Sequence, residues 1–302
     1  MHVLTAQRLI DHNVWCIMQS TRFSLDSLED DFAVKPFLRW AGSKRQLLPT
    51  LSTYWSTSYG RYLEPFMGSA SLFFSLKPSQ AILSDVNREL VSTFEIVKQQ
   101  HPELLRVLGS MERGESSYYS LRDADPLSLD PVPRAARFIY LNRFCFNGLY
   151  RTNASGKFNV PFGGEKTGTL PDAASLSTAS ALLSQSTLEC ADFEVVIRSH
   201  VRSNDFVYLD PPFAVSNRRI FSQYGPSTFG LSDILRLQHL LREIHARGAY
   251  FLLSYSASEE IGEIAREWQD QTVAVMRNIA GFARHRRNDS EILITNIENA
   301  HQ

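Results

Sequence analysis

The residues best suited to chemistry lie in Asp205-Phe-Val-Tyr-Leu-Asp210-Pro211-Pro212-Phe213. An apolar strand pattern runs into an acid, two prolines and an aromatic ring. Consecutive prolines donate no backbone N–H and hold φ fixed, so the strand must stop there. What remains is a stiff turn with free carbonyl oxygens, an acceptor-only carboxylate and a flat apolar face. That set suits a flat ring carrying an exocyclic amine. Taken alone, the same string is also an ordinary strand followed by a Pro-Pro turn.

Other acids stand at comparable places. Arg61-Tyr-Leu-Glu64 and Ala81-Ile-Leu-Ser-Asp85 are short apolar runs that end in a carboxylate, and Asp192 follows the run Thr187–Cys190. In open α/β sheets, ligands bind beyond the carboxyl ends of the strands. Glu64-Pro-Phe66-Met-Gly68-Ser-Ala-Ser71 is a small-residue turn opening a helix, where backbone N–H groups are free. It is not G-x-G-x-x-G, so a dinucleotide pyrophosphate is a poor match. An acid at Asp85 suits a ribose hydroxyl. A nucleoside cofactor without a pyrophosphate fits both features, and S-adenosylmethionine (SAM) is one. Upstream, Phe37-Leu-Arg39-Trp40-Ala-Gly-Ser-Lys44 sets an aromatic ring and a lysine around a small-residue turn. Singly, each segment is equally ordinary turn and cap chemistry.

These residues need a scaffold. Strands at 61–64, 81–85, 187–190, 206–209 and 250–253 alternate with helical periodicity at 69–76, 88–99, 231–247 and 258–268, which predicts βαβ units and a parallel sheet. Val273–Met276 and Ile292–Thr295 have no helix between them and predict an antiparallel hairpin at one sheet edge. Between 100 and 184 the rhythm breaks into helices at 101–110 and 134–146 plus a loop and hairpin over 150–163. This predicts an inserted, mostly helical domain, flanked by sheet-forming segments at 35–99 and 185–302. The Ser/Thr/Ala-rich stretch 173–186 reads as a linker or a helix. Residues 1–34 form a separate extension to which no role is assigned.

The chain has 302 residues, with 31 Lys and Arg against 32 Asp and Glu, so net charge gives no sign of a nucleic-acid partner. Any such partner must be met by local basic surface. Arg134, Arg137, Arg143, Arg151 and Lys157 fall in the middle segment; Arg218, Arg219 and Arg284-His-Arg286-Arg287 fall in loops. Cys16, Cys145 and Cys190 are scattered, which fits a reducing cytoplasm and excludes a cysteine-rich metal site. No run approaches the length of a membrane span.

In order, these segments resemble the SAM-dependent, adenine-N6-specific DNA methyltransferase family in its alpha-type arrangement. The matching strings are Phe37–Lys44, Glu64–Ser71, Ser84-Asp-Val-Asn87, Leu141-Asn-Arg-Phe-Cys-Phe-Asn147-Gly-Leu149 with Phe158-Asn-Val-Pro161-Phe-Gly163, Asp210–Phe213, and Phe221-Ser-Gln-Tyr224 with Phe229 and Asp233. The resemblance covers about residues 35–297 and implies a Rossmann-like methyltransferase sheet with a target-recognition domain at 100–184. It implies a SAM pocket from Trp40, Lys44, Glu64, Phe66, Gly68, Asp85, Asp192 and Asp210, with Asp210, Pro211, Pro212 and Phe213 holding a flipped adenine. It places Arg39, Asn147, Leu149, Arg151, Asn153, Pro161, Tyr224 and Arg286 against double-stranded DNA. Leu149, Arg151 and Pro161 correspond to base readers of GATC-methylating relatives. The implied setting is the cytoplasm of a prokaryotic or phage-infected cell, with no metal and with a cognate restriction endonuclease as one partner the family allows. Two departures stand out. Many members end the catalytic motif in Tyr where this chain has Phe213, and GATC enzymes often carry a basic residue near Gly164. RNA or protein-amide methylation, and a non-catalytic DNA-binding role, are the alternatives.

Overall fold

The computed structural model describes residues 35–153, 155–212, 229–256, 259–276 and 288–298. They belong to one compact unit, Lys35–Gln302. Its centre is β1 (Tyr62–Glu64), buried at every position. It lies between β2 (Ala81–Asp85) and β4 (Phe206–Leu209), parallel to both. β3 (Ser186–Cys190) extends one side and β5 (Tyr250–Ser256) the other, again in parallel. β6 (Gln269–Met276) and β7 (Asn288–Thr295) complete a seven-stranded sheet in the order β3-β2-β1-β4-β5-β7-β6. β7 is antiparallel to both neighbours. This is the Rossmann-like sheet with an antiparallel edge pair that the sequence predicts.

The order has a switch point between β1 and β4. From β1 the chain builds outward through β2 and β3, and from β4 in the other direction. Leu63 pairs with Val207 in register, so the ends carrying Glu64 and Asp210 lie side by side in the crevice. At the opposite end of these strands, Arg61 grips Asp205 through both carboxylate oxygens, at 3.0 and 2.6 Å. The rings of Trp55, Tyr59, Tyr62 and Phe206 pack around that base.

Helices cover the sheet because their apolar positions recur at helical spacing. After the short helices α1 (Leu48–Ser52) and α2 (Ser71–Leu76), α3 (Arg88–Ser110) is capped by the Asn87 side chain, which accepts from Leu90 N. α3 breaks at Gln100, just before Pro102. Proline has no N–H for the carbonyl of residue 98, and that carbonyl accepts from Ser180 Oγ instead, at 2.9 Å. Ser180 lies on α6 (Ala173–Leu183), a helix capped by Asp172, so the 173–186 stretch is not a linker.

Between α3 and α6 come α4 (Glu115–Asp123) and α5 (Pro131–Phe144). The segment after α5 folds back through bridges Cys145–Phe162 and Thr152–Phe158. α5 is buried along most of its length, including Arg137, which is 3% exposed. Its guanidinium donates to the Leu121 and Arg122 carbonyls at the end of α4. Arg137 therefore does not add to the basic surface expected of the middle segment. α7 (Phe193–His200), α8 (Leu231–Ala246) and α9 (Glu259–Ala265) complete the layers. α4 and α7 are absent from the sequence-based reading. Asp192 capping an i, i+3, i+4 set of Phe193, Val196 and Ile197 was the available signal for α7.

Candidate active site

Asp210 leaves β4 into the crevice with its side chain 20% exposed. Its Oδ1 receives Lys44 Nζ at 3.0 Å and the Ser254 hydroxyl at 3.3 Å. Tyr208 Oη lies 3.2 Å from the same Ser254 hydroxyl. Oδ2 has no hydrogen-bond partner among the described residues. Burial raises the Asp210 pKa, and the Lys44 ammonium opposes it. Asp210 thus presents one engaged oxygen and one open acceptor, beside the rigid Pro211-Pro212 turn.

Lys44 also reaches Glu291 on β7, at 3.2 Å. The sequence suggests that Lys44 meets a carboxylate; two of those it meets are the protein's own. Ser254 and Glu291 were missed from sequence. A lone acid inside the apolar run Glu291-Ile-Leu-Ile-Thr295 signals an inward charge but not its partner.

Glu64, 3% exposed, accepts from Tyr62 Oη at 2.9 Å, and burial holds its pKa well above the usual carboxylate range. The turn after β1 folds over the end of β2. Met67 N donates to Ser84 O at 2.9 Å, and Gly68 N to Asp85 Oδ2 at 3.2 Å. Asn87 N donates to the other Asp85 oxygen at 2.9 Å. Burial nonetheless pushes the Asp85 carboxyl up to about 6. Gly68 has φ +46°, and a Cβ there would sit 2.7 Å from Trp40 Cδ1. Only glycine lets the turn approach the indole so closely. Trp40 also stacks on Tyr150, with ring centroids 5.5 Å apart.

Asp192 lies apart from these acids in its bonding. It caps α7 through Glu194 N and pairs with Arg236 of α8. Arg236 also binds Glu194 and Asp233, and lies over the Phe193 ring. Phe193 packs on Phe66 at 5.0 Å and, with Phe229, forms an aromatic wall.

Beside Trp40 the structure gathers several expected DNA contacts. Asn142 binds the Arg39 backbone twice, accepting from its N–H at 2.8 Å and donating to its carbonyl at 2.6 Å. The Arg39 side chain crosses the Phe146–Gly148 turn, where Gly148 has φ +64° and a Cβ would meet Arg39 Cβ at 2.7 Å. Asn147 is exposed in the left-handed region, and Leu149 follows it. Pro161 O accepts from Phe146 N, which brings the exposed Pro161 to the same turn. Arg151 Nε donates to Asn159 Oδ1 at 2.8 Å. Asn153 spends its side-chain oxygen on Ser155 and Lys157, organising the hairpin tip. Phe213, Tyr224 and Arg286, and the basic loops around residues 218 and 284–287, lie outside the described residues.

The donor set fits the cofactor inferred from sequence. Asp210 and Glu291 share Lys44, and Glu64 lies close enough to Asp210 and Asp85 to feel both charges, so acids gather at these strand ends and disfavour a pyrophosphate. No His, Cys, Asp or Glu group suited to a metal ion occurs among the described residues. Nor is any described helix long and apolar enough to cross a membrane.

Comparison with known proteins agrees with this geometry. The family model for D12 class N6 adenine-specific DNA methyltransferases matches residues 40–279. The chain is 32% identical to the type II methyltransferase M1.LlaDCHI of Lactococcus lactis over 275 residues, covering 88% of this chain and 96% of the relative. It is 35% identical to the type II methyltransferase M.MjaIII of Methanocaldococcus jannaschii, with coverages of 74% and 84%. Against the DNA adenine methylase of Escherichia coli it is 32% identical, with coverages of 86% and 94%. The family model over residues 40–279, with relatives 32–35% identical over most of the chain, places the chain in the D12 class of N6 adenine-specific DNA methyltransferases.

Proposed function

We propose that the protein moves a methyl group from SAM to the exocyclic amine of an adenine flipped out of a short duplex site, GATC or a relative of it. The observation that carries the reading is Asp210: Oδ1 is held by Lys44 and Ser254 while Oδ2 takes no bond from a described residue. Asp210 Oδ2 and the Pro211 carbonyl accept the two amine hydrogens. This turns the nitrogen lone pair out of conjugation with the ring and aims it. Such alignment contributes up to roughly 7–11 kcal/mol. The same acceptors stabilise the positive charge that grows on nitrogen, an interaction stronger in the transition state than before it. No base is needed before transfer while the amine hydrogens are so held; the methylated, cationic nitrogen then sheds one of those hydrogens as a proton, through Asp210 Oδ2 to solvent.

SAM, when bound, supplies a methyl group already activated by its sulfonium. Trp40, Lys44, Glu64, Gly68, Asp85 and Asp210 would hold it along the β1 and β2 ends, with Phe66 and Asp192 at the adenine side. A paired base cannot reach a strand-end crevice, so it must leave the stack, at about a few kcal/mol. Phe213 stacking returns about 1–3 kcal/mol of that, and needs only the ring. Residues 100–184 serve as the target-recognition domain. Arg39, Asn147, Leu149, Arg151, Asn153 and Pro161 line the DNA side, with Arg151 suited to guanine and Leu149 to a thymine methyl. Tyr224 and Arg286 add to the duplex contacts.

Purified protein with SAM should methylate adenine in duplex DNA, and Asp210→Ala should abolish this. A protein that binds SAM normally yet methylates no duplex sinks the catalytic reading. Sequencing DNA from a methylation-free host expressing the protein gives the site; adenines marked outside GATC-like sequences would remove that assignment.

A further inference from the structure

β7 runs antiparallel to β5, so it begins where the parallel strands end. Its Glu291, in register with Ser256 of β5 and Val273 of β6, therefore arrives at the catalytic crevice. Glu291 is 2% exposed and Lys44 is 8% exposed. Charges that deep persist only when geometry compensates their desolvation. One ammonium sits 3.0 Å from Asp210 and 3.2 Å from Glu291, so the two acids share it. Its place bears on Asp210, beside which positive charge develops on the target amine.

We propose that Glu291 is a positioning residue for methyl transfer: it fixes Lys44 against Asp210 Oδ1 and leaves Oδ2 to the target amine. Glu291 acts through Lys44. The inference rests on the methyl-transfer reading above. The groups facing Asp210 are Lys44 ahead of α1, Tyr62 and Glu64 on β1, Tyr208 on β4, Ser254 on β5 and Glu291 on β7. After burial, Lys44 lowers the Asp210 pKa and Glu291 raises it.

The test is Glu291→Gln, which keeps shape and removes charge. In single-turnover assays its rate should fall about 10- to 100-fold, with affinity for SAM and DNA within about threefold of wild type. The acid limb of its pH–rate profile should move to lower pH, because Asp210 loses a like-charged neighbour. A purely structural role would not move that limb in this direction. In a Lys44→Met background, Glu291→Gln should cost less than about twofold more. A readout without turnover is the Lys44 amine titration by NMR in the free protein, its signal identified by loss in Lys44→Met; Glu291→Gln should lower the midpoint. Glu291→Asp, which keeps the charge, should keep the wild-type acid limb, and it serves if Glu291→Gln does not fold. A wild-type rate in Glu291→Gln, additive penalties with Lys44→Met, or an unmoved Lys44 midpoint overturns the proposal. Failure of the wild-type protein to methylate DNA would instead strike the functional reading, and the Lys44 titration would still decide this link.

Discussion

Replacing Asp85 by Asn should remove a stability penalty that grows toward neutral pH and make the protein a poorer binder of SAM. Both carboxylate oxygens accept backbone N–H groups, from Asn87 at 2.9 Å and Gly68 at 3.2 Å. Burial outweighs them and raises the pKa from 3.8 to about 6. The folded state then binds this proton more tightly than the unfolded chain does. Stability contributed by the group is highest below the unfolded pKa, declines as pH rises from about 4, and is lost above about 6. The difference corresponds to at most about 3 kcal/mol. Partial solvent contact of the side chain reduces the expected figure to about 1–2 kcal/mol. Asn keeps an acceptor and has no charge to desolvate. In urea denaturation, the unfolding free energy of Asp85→Asn minus wild type should therefore grow by about 1–2 kcal/mol between about pH 4 and pH 7.5. Calorimetric titration should show SAM binding weakened about tenfold, as expected for losing a charge-assisted bond to a ribose hydroxyl. A difference that stays flat across this pH range would refute the desolvation argument. Undiminished SAM affinity would refute the role in the cofactor pocket.

Gly68→Ala should lower stability by about 1–2 kcal/mol from the left-handed backbone alone. Its Cβ, 2.7 Å from Trp40 Cδ1, should also push the indole off its seat and weaken SAM binding, measured by thermal melting and titration. Asn142→Ala leaves the Arg39 N–H and carbonyl without their partner, at about 1–3 kcal/mol each; gel-shift assays should show weaker DNA binding with SAM affinity kept. Arg61→Met strands Asp205, which is 2% exposed, and should cost about 3–5 kcal/mol in urea denaturation while activity per folded molecule is kept. Asp210→Asn should lower the methylation rate about 10²- to 10³-fold by removing the charge that stabilises the developing cation, with folding intact by circular dichroism.

The sheet was legible because its central strands are buried on both faces and read as short apolar runs closed by an acid or a turn. Ala81–Asp85 and Phe206–Asp210 are of this kind, and each ends in a carboxylate whose pKa burial raises. The edge pair was legible because no helical run separates its strands. α4 and α7 escaped because short helices offer few turns over which periodicity can register. Arg137 misled because a charged residue on a helix reads as surface until its burial is known, and here it serves the carbonyls that end α4. Asn142 escaped because its work, holding the Arg39 backbone, joins residues 103 apart in the chain.

By itself, the sequence determined the strand-end acids, the rigid Asp210-Pro211-Pro212 turn, the glycine beside Trp40 and the segments that alternate into a parallel sheet. Each is a local matter of residue type and period, which a linear string carries. Only the tertiary structure decided which acids share a partner. Glu291 meets Lys44 because an antiparallel strand starts where its parallel neighbours finish. Asp192 is joined to Arg236 because α8 packs beside α7. Trp40 meets both the Gly68 turn and Tyr150 because the chain after α5 folds back on it. Such pairings depend on strand direction and packing over long sequence separations, and no local pattern encodes them.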